Sequence, residues 1–454
     1  MFLSPRRPRG TPVRTGKEKM LALLETMPAG TWQQVSLNTY QSIWPSDDYR
    51  APFNSGVSDP AATIRAWSSF AWDDENCELL LWGGGHANSA SNALWRWRAI
   101  DRLWQLAFYD SGLNAGLYDT VGGALDAPMS SHTYANQVYL SVLRRFCTFG
   151  GAEQPGGTMM KVYDAEGNVL RFAHCYLADL AQAGTGKVGG ATGTNVKRGS
   201  TSGLTLPGAV AWQLRDWVLL NAAGVENLGS RVNGWAAAVV EDGKDVVYLN
   251  TWPSGTSKGL VRIQFNDADD ASLDVITVMG RPWNNVNTHH GGAYDPTRKL
   301  AVVPRDADYP LEGWNLNSPG PTNSNYRVPA SAITGDGLTD LIAAYASGFA
   351  VGICFDERRS KFIVWAWGGA IFEVTPPANL ATLETSGWVV EKIGSDALSP
   401  RPLNSGEYEP ETALETGVHG KFKYSVALDC YIGLQHAQRG DIWLHKPLDW
   451  MESA

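Results

Sequence analysis

The segment of residues 67–106 decides the fold of this chain. It reads WSSFAW, DDEN, CELLLW, GGGHANSASN and ALWRWRAI, and after one Asp it ends with RLWQL. Short β-rich runs separated by turn residues are typical of an antiparallel meander. Four such runs within about 40 residues match one four-stranded blade of a β-propeller. The segment therefore predicts an all-β fold built from repeated blades.

The first half of this pattern recurs along the chain. An apolar strand, a polar turn and a second apolar strand are found again at 139–151, 209–220, 237–249, 293–303, 353–369 and 424–434. With the first segment these units predict seven blades. Six blades remain the alternative, because the units at 209 and 237 begin only about 28 residues apart, too close for a complete blade.

The ends of the chain predict how the ring closes. Residues 31–36, with Trp32 and Gln33, resemble the last strand of the first segment, with Trp104 and Gln105. The last unit, 418–446, has room for only three strands. We therefore expect residues 31–36 to complete the last blade, which leaves no loose sheet edge. One propeller domain is predicted for residues 30–450.

The first segment also resembles the kelch family. That family has a hydrophobic strand running into a double glycine, an aromatic residue in the third strand and a Trp in the fourth. The matching residues here are Leu79, Leu80, Leu81, Trp82, Gly83, Gly84, Gly85, Trp95 or Trp97, and Trp104. The resemblance implies a galactose-oxidase-central-domain-like propeller and says little about function. No arrangement here matches the copper site of galactose oxidase, so no cofactor and no metal are expected.

Composition excludes several classes of protein. The net charge is −9, which argues against a nucleic-acid surface. No apolar run approaches the roughly 18 residues that span a bilayer. The five cysteines form no C-x-x-C pair, so we expect reduced thiols and neither disulfides nor a zinc site.

The first 29 residues differ from the rest and are predicted to be a basic arm followed by a short helix. Arg6, Arg7, Arg9 and Arg14 concentrate positive charge in an otherwise acidic chain. The short apolar stretch after them does not fit a secretory signal peptide. We expect these arginines to dock on a partner subunit or an acidic surface.

Three segments interrupt the repeat: 184–203, 310–347 and 392–416. Long insertions on a rigid scaffold usually project from one face and often bind ligands. Residues 338–345 within the second insertion have a helical pattern. Trp314 and Tyr326, which lie among asparagines, are predicted to be exposed and to contact sugars or a protein neighbour.

Histidines stand where strands should meet the mouth of the ring. His86 follows the glycines of the first segment, and His132, His289, His290 and His419 each lie close before a unit. One interpretation is that they hydrogen-bond the backbone of a neighbouring blade. The other is a site of proton-active groups formed by His132, Tyr134, His290, Tyr294 and Arg305. We expect His86, His289 and His419 to serve in binding.

Two functions follow from this pattern. The unit that runs from Ser131 through His132 and Tyr134 to Gly151 resembles kelch-type proteins of bacteria and their phages. The main prediction is a non-catalytic structural or binding protein of a bacteriophage virion, in the tail or host-adsorption apparatus. It would act within an oligomeric assembly, contacting other virion proteins and bacterial surface polysaccharide. The alternative function is a glycan-acting enzyme resembling propeller polysaccharide lyases, with the His/Tyr/Arg site above at the channel mouth. The alternative location is the cytoplasm.

Overall fold

A computed structural model describes most of the chain. Six of the predicted site residues lie outside the described part: Arg6, Arg7, Arg9, Arg14, His289 and His290. The described residues are 15–46, 48–49, 60–65, 67–86, 88–111, 127–154, 157, 159–164, 168–198, 203–228, 234–250, 259–281, 291–346, 350–366, 369–394 and 416–451.

The chain reaches the propeller through two helices and a strand. Helix α1 (Gly16–Thr26) begins with a capping box, in which the Glu18 amide donates to Thr15 Oγ1 and the Thr15 amide donates to Glu18 Oε2. Strand β1 (Trp32–Gln34) and helix α2 (Pro60–Arg65) follow. The buried face of α1, with Met20 and Leu24, packs against the ring.

The first two blades contain most of the additional structure. Blade 1 consists of β2 (Phe70–Asp73), β3 (Glu78–Leu81), β4 (Leu94–Arg98) and β5 (Leu103–Phe108). Blade 2 consists of β6 (Gln137–Leu140), β7 (Arg145–Thr148), β10 (Tyr176–Asp179) and β15 (Trp212–Leu214). Two short strands lie between β7 and β10 in the chain: β8 (Lys161–Tyr163) and β9 (Val169–Phe172). Four more lie between β10 and β15: β11 (Val188–Gly190), β12 (Val196–Lys197), β13 (Thr205–Leu206) and β14 (Gly208–Val210).

The next two blades are regular antiparallel sheets. Blade 3 consists of β16 (Ala236–Glu241), β17 (Lys244–Asn250), β18 (Leu260–Gln264) and β19 (Val275–Gly280). Blade 4 consists of β20 (Ala293–Asp295), β21 (Leu300–Pro304), β22 (Leu311–Asn315) and β23 (Tyr326–Val328). The segment 310–347, predicted as an insertion, thus supplies two strands of blade 4.

The last two blades complete the ring. After β24 (Ile333–Thr334) and helix α3 (Leu338–Ala346), which forms where the helical pattern predicted it, blade 5 consists of β25 (Gly352–Asp356), β26 (Lys361–Trp365), β27 (Ile371–Thr375) and β28 (Trp388–Lys392). Blade 6 consists of β29 (Phe422–Ser425), β30 (Cys430–Gln435), β31 (Asp441–His445) and β1. Most of the predicted insertion 392–416 lies outside the described residues.

Contacts between the innermost strands arrange the blades in a ring. The strand β6 contacts both β2 and β16, the strand β20 contacts β16 and β25, and β25 contacts β29. A parallel bridge between Ser69 and Gly420 joins blade 6 to blade 1. The described chain is therefore a single β-propeller with six blades, the smaller of the two predicted counts.

The third of the seven predicted units, at 209–220, is not a blade. Its first part is β15, the outermost strand of blade 2. Its second part is a turn, in which the amides of Leu220 and Ala222 donate to the carbonyls of Asp216 and Trp217. Trp217 is fully buried and makes this turn look like an apolar strand in the sequence.

The predicted closure of the ring is confirmed. In the antiparallel register of β1 and β31, Trp32 pairs with His445 and Gln34 pairs with Trp443. The Trp32 ring lies 5.4 Å from the Trp365 ring of blade 5, measured between centroids. The N-terminal strand therefore completes the last blade and covers its outer edge.

Aspartates stabilise the first turn of several blades. Asp73 accepts hydrogen bonds from the amides of Glu75 and Asn76, and Asp295 accepts them from Thr297 and Arg298. A carboxylate at such a position hydrogen-bonds the backbone two or three residues on. These turns lie at the end of the channel opposite the strand entrances.

Two general features of the described chain are the state of its cysteines and the length of its helices. All five cysteines are buried and free, as expected for reduced thiols. None of the helices in the described ranges is long and apolar enough to span a membrane.

Candidate functional site

The channel mouth lies where the innermost strands begin. Parallel bridges between Ala135 and Trp235 and between Ala350 and Gly417 join the approaches to neighbouring inner strands, as the bridge at Ser69 does between blades 1 and 6. Because these approaches meet around one axis, side chains from different blades come together here.

Four of the residues singled out in the sequence form a connected chain of rings at this mouth. The His86 and His132 ring centroids lie 5.3 Å apart, and those of His132 and Tyr134 lie 5.8 Å apart. Tyr134 in turn lies 6.3 Å from His419. The group joins the loop after β3 in blade 1, the approach to blade 2 and the approach to blade 6. We call these four residues together with Trp67 the mouth cluster.

Polar neighbours fix the two buried imidazoles. His132 Nε2 lies 2.8 Å from Asn88 Oδ1, and His419 Nε2 lies 3.0 Å from Thr416 Oγ1. The same Thr416 hydroxyl accepts a hydrogen bond from the Trp67 amide. His132 and His419 therefore make two kinds of contact: polar contacts with side chains of the loops around the mouth, and ring contacts with residues of neighbouring blades.

Trp67 lies over this network. Its ring stacks on His132 with 4.6 Å between centroids and 26° between planes. Its carbonyl accepts hydrogen bonds from the amides of Thr133 and Tyr134. Sequence reasoning missed Trp67 as a site residue, because it reads there as the first residue of an apolar strand.

The backbone at the mouth cluster is strained. Trp67, His86, Tyr134 and His419 have φ values of 26°, 40°, 44° and 51°. A left-handed conformation in a residue with a bulky side chain costs energy and persists only where its surroundings impose it. Such residues concentrate at ligand-binding and active sites, which makes the mouth the strongest candidate for the functional site.

Exposure divides the cluster into two layers. His132, Tyr134 and His419 are at most 4% exposed, whereas His86 is exposed and Trp67 is partly exposed. A ligand at the mouth therefore meets Trp67 and His86 first. The three buried rings form the layer that supports them.

Two other predicted site residues lie elsewhere. The Tyr294 ring packs 4.1 Å from Tyr248, further along the channel. Arg305 forms ion pairs with Asp306 and Glu312 within blade 4; burial lowers the pKa of its guanidinium, but these two contacts together raise it above the usual value. Of the five residues in the alternative His/Tyr/Arg set, the structure therefore brings together His132 and Tyr134.

The prediction that Trp314 and Tyr326 are exposed binding residues is wrong. Trp314 is fully buried against Gly280 of blade 3, and Tyr326 donates its hydroxyl to the Ala301 carbonyl. Both belong to strands of blade 4, so their rings fill the interfaces between blades.

A buried lysine lies below the mouth cluster. Lys421 Nζ donates to the carbonyl and to the hydroxyl of Ser68, at 3.1 and 3.2 Å. Burial lowers the pKa of Lys421 to about 7. The ammonium form is therefore destabilised in the folded protein relative to the unfolded chain.

Replacing Lys421 is expected to change how stability depends on pH. Because its pKa is lowered on folding, the unfolded chain binds more protons between pH 7 and 10, and stability rises with pH in that window. We expect Lys421→Met to reduce this rise by about 1 kcal/mol per pH unit, as measured by urea denaturation at pH 7, 8 and 9. Lys244→Met, at an exposed lysine, should leave the rise unchanged. Equal pH dependence in wild type and Lys421→Met would contradict the prediction.

Metal binding has no support in the described ranges, where no group of three or more His, Cys, Asp or Glu side chains has the arrangement to hold an ion.

Comparisons with known proteins add only the fold. No protein-family model matches the chain, and no curated protein matches its sequence. The structure is similar to a luciferin-regenerating enzyme, with a TM-score of 0.40, 8% identity, and coverage of 93% of this chain and 97% of that chain. It is also similar to an α-L-arabinanase from Penicillium chrysogenum, with a TM-score of 0.37, 13% identity, and coverage of 92% and 99%. A gluconolactonase from Xanthomonas campestris matches with a TM-score of 0.37, 8% identity, and coverage of 92% and 98%. At these values the likeness carries no inference about ligand or chemistry.

Proposed function

We propose that this protein is a non-catalytic propeller that binds a surface glycan at its channel mouth. The observation that carries the proposal is the mouth cluster, in which strained backbone positions Trp67 and His86 over three buried rings. In the propeller, this is where loops from several blades converge on one axis.

The two outer residues have the chemistry that sugars require. The indole of Trp67 offers a flat apolar face on which the C–H face of a pyranose packs. The imidazole of His86 offers a donor and an acceptor for hydroxyl groups. Stacking on His132 fixes the Trp67 ring before a ligand arrives, so little side-chain entropy is lost on binding.

Binding is favoured over catalysis by the state of the inner residues. A catalytic acid or base must come within hydrogen-bond reach of the proton it transfers. His132 and His419 are at most 2% exposed and contact Asn88 and Thr416. Arg305, the cation of the alternative lyase-like set, is held in the ion pairs of blade 4. These facts support a positioning role for the buried rings.

We extend the proposal to the virion setting predicted from the sequence, as a tail or host-adsorption component. Its support is the resemblance of the unit from Ser131 to Gly151 to kelch-type proteins of bacteria and phages. Antibodies against this chain should then label purified virions. Detection in the lysate with none in the particles would remove the virion part and leave the glycan proposal intact.

The binding experiment uses the purified full chain and envelope polysaccharides of candidate host bacteria. We expect Trp67→Ala and His86→Ala each to weaken binding at least about tenfold, a loss of about 1.4 kcal/mol. Trp443→Ala, at a partly exposed tryptophan on blade 6, is the matched control and should bind as the wild type does. Unchanged affinity in both mouth variants would refute the site.

The same incubation tests for catalysis. Chain shortening or a new unsaturated product that disappears in His132→Ala would replace the binding proposal with the lyase alternative. Retention of the intact polysaccharide by the wild type supports the binding proposal.

A further inference from the structure

A second concave site lies inside the ring, towards the end opposite the mouth cluster. Its volume is about 320 Å³, and residues of all six blades line it. The inner strand of blade 3 contributes Ala236, Ala237 and Ala238, whose small side chains leave this space open. Exposed Glu357 and Val426 lie where the cavity reaches the surface. The size is that of a site for one small ligand.

A lysine with no charged partner faces this cavity. Lys423 lies in β29, with Phe422 before it packed in the core between blades. Its Nζ forms no hydrogen bond or ion pair with any residue in the described ranges. Burial lowers the pKa of Lys423 to about 8, and the nearby Cys354 thiol opposes this shift. The side chain is partly exposed, so an anion in the cavity can reach the ammonium and supply the counter-charge that it lacks.

On blade 2, Gln137 is among the residues that line the same cavity, and one of its polar atoms has no partner in the described residues. Gln137 Nε2 donates to the Trp82 carbonyl at 2.6 Å, which fixes the orientation of the amide. Its Oε1 is fully buried and has no hydrogen-bond partner in the described part of the chain. A buried acceptor left unsatisfied costs about 1–3 kcal/mol, so a ligand whose donor reaches this oxygen would remove that cost.

The carboxylates that line the cavity are already hydrogen-bonded or ion-paired, or they lie at its outer end. Asp74 accepts hydrogen bonds from Ser425 and the Val426 amide, and Asp245 accepts them from the Val142 and Leu143 amides. Glu75 pairs with Arg144 at 2.9 Å. Glu357 is exposed where the cavity reaches the surface. None of these carboxylates neutralises Lys423.

We propose that this axial cavity binds one small hydroxy acid, of the size of a monosaccharide acid. The carboxylate pairs with Lys423, and a hydroxyl group donates to Gln137 Oε1. A simple anion would leave the amide oxygen without a donor, and a neutral sugar would leave the ammonium without a counter-charge. A hydroxy acid satisfies both. The site is independent of glycan binding at the mouth.

Titration calorimetry on the full chain tests the proposal with D-glucuronate and D-gluconate as probes. D-glucose lacks the acid group and acetate lacks the hydroxyls, so both serve as comparison ligands. We expect one sugar acid to bind at one site with a Kd tighter than about 1 mM. Lys423→Met should weaken it at least about tenfold, whereas Lys244→Met and Trp67→Ala should not. Absence of saturable binding of both acids, or undiminished binding by Lys423→Met, overturns the proposal.

A second measurement needs only the wild-type protein. A bound carboxylate favours the ammonium form of Lys423 and raises its pKa, so binding near pH 8 should take up protons. The thiol and phenol groups that face the cavity remain neutral at this pH, because burial raises the pKa values of Cys354, Tyr139, Tyr294 and Tyr424. Binding heats in two buffers of different ionisation enthalpy report this uptake. Equal heats in the two buffers, or equally tight binding of glucose, would place the ligand away from Lys423.

Discussion

Deletion of residues 1–36 is expected to unfold the protein, whereas deletion of residues 1–14 should leave it folded. The longer deletion removes β1, so β31 loses its outer neighbour across the register from Trp32 to Gln34. It also removes α1, whose Met20 and Leu24 are buried against the ring. Each large apolar side chain removed from a core costs about 2–5 kcal/mol. Several together exceed the 5–15 kcal/mol that typically separates folded from unfolded states.

The shorter deletion is the matched control for this experiment. It stops just before Thr15 and so preserves the capping box of α1. Circular dichroism and tryptophan fluorescence during heating measure both variants. A cooperative transition of the 1–36 deletion within about 5 °C of the full chain would contradict the structural role of β1.

Asp274→Ala is expected to destabilise the fold by about 3–5 kcal/mol. Asp274 Oδ2 accepts hydrogen bonds from Arg215 Nη2 at 2.6 Å and from Trp217 Nε1 at 2.8 Å, and both charged side chains are fully buried. Burial raises the pKa of Asp274 and Arg215 lowers it, so desolvation offsets much of the attraction. Removing only the carboxylate leaves the guanidinium buried without its counter-charge.

Two controls separate this effect from ordinary loss of a contact. Replacing both partners, as in Arg215→Met with Asp274→Leu, should recover much of the stability because no charge remains buried. Glu75→Ala removes the exposed pair with Arg144 and should cost less than about 1 kcal/mol. Urea denaturation provides the comparison. A loss below about 1 kcal/mol for Asp274→Ala would show that the interior around Arg215 admits water.

The sequence predicted the architecture where local patterns were strong. The apolar run that ends at Trp82 and the following glycines identified a blade, and the likeness between Trp32 and Trp104 identified the closing strand. The blade count was harder to predict, since Trp217 gives a buried turn the composition of a strand. Trp314 was misinterpreted for the opposite reason: its polar neighbours in the sequence suggested a loop, but its ring fills the space left by Gly280.

The site was predictable only in part. The positions of His86, His132 and His419 near strand entrances follow from the repeat. Their contact does not, because it depends on how loops from three blades converge. Lys423 and Gln137 gave no signal in the sequence, since a lysine or a glutamine in a strand usually faces solvent. What distinguishes them is one polar atom each, the Lys423 ammonium and Gln137 Oε1, that has no partner in the described part of the chain, and only three-dimensional structure reveals that.

Blade 6 imposes an order on folding during synthesis. Gln34 and Asp441, which hydrogen-bond at 3.0 Å, are separated by 407 positions in the chain. The strand β1 must therefore wait, with an unpaired edge, until the roughly 400 residues that separate it from β31 have left the ribosome. Such a strand is exposed to incorrect pairing and to association with other nascent chains. We expect contacts of this sequence separation to make ring closure the slow step of folding, with α1 held near the early blades in the meantime.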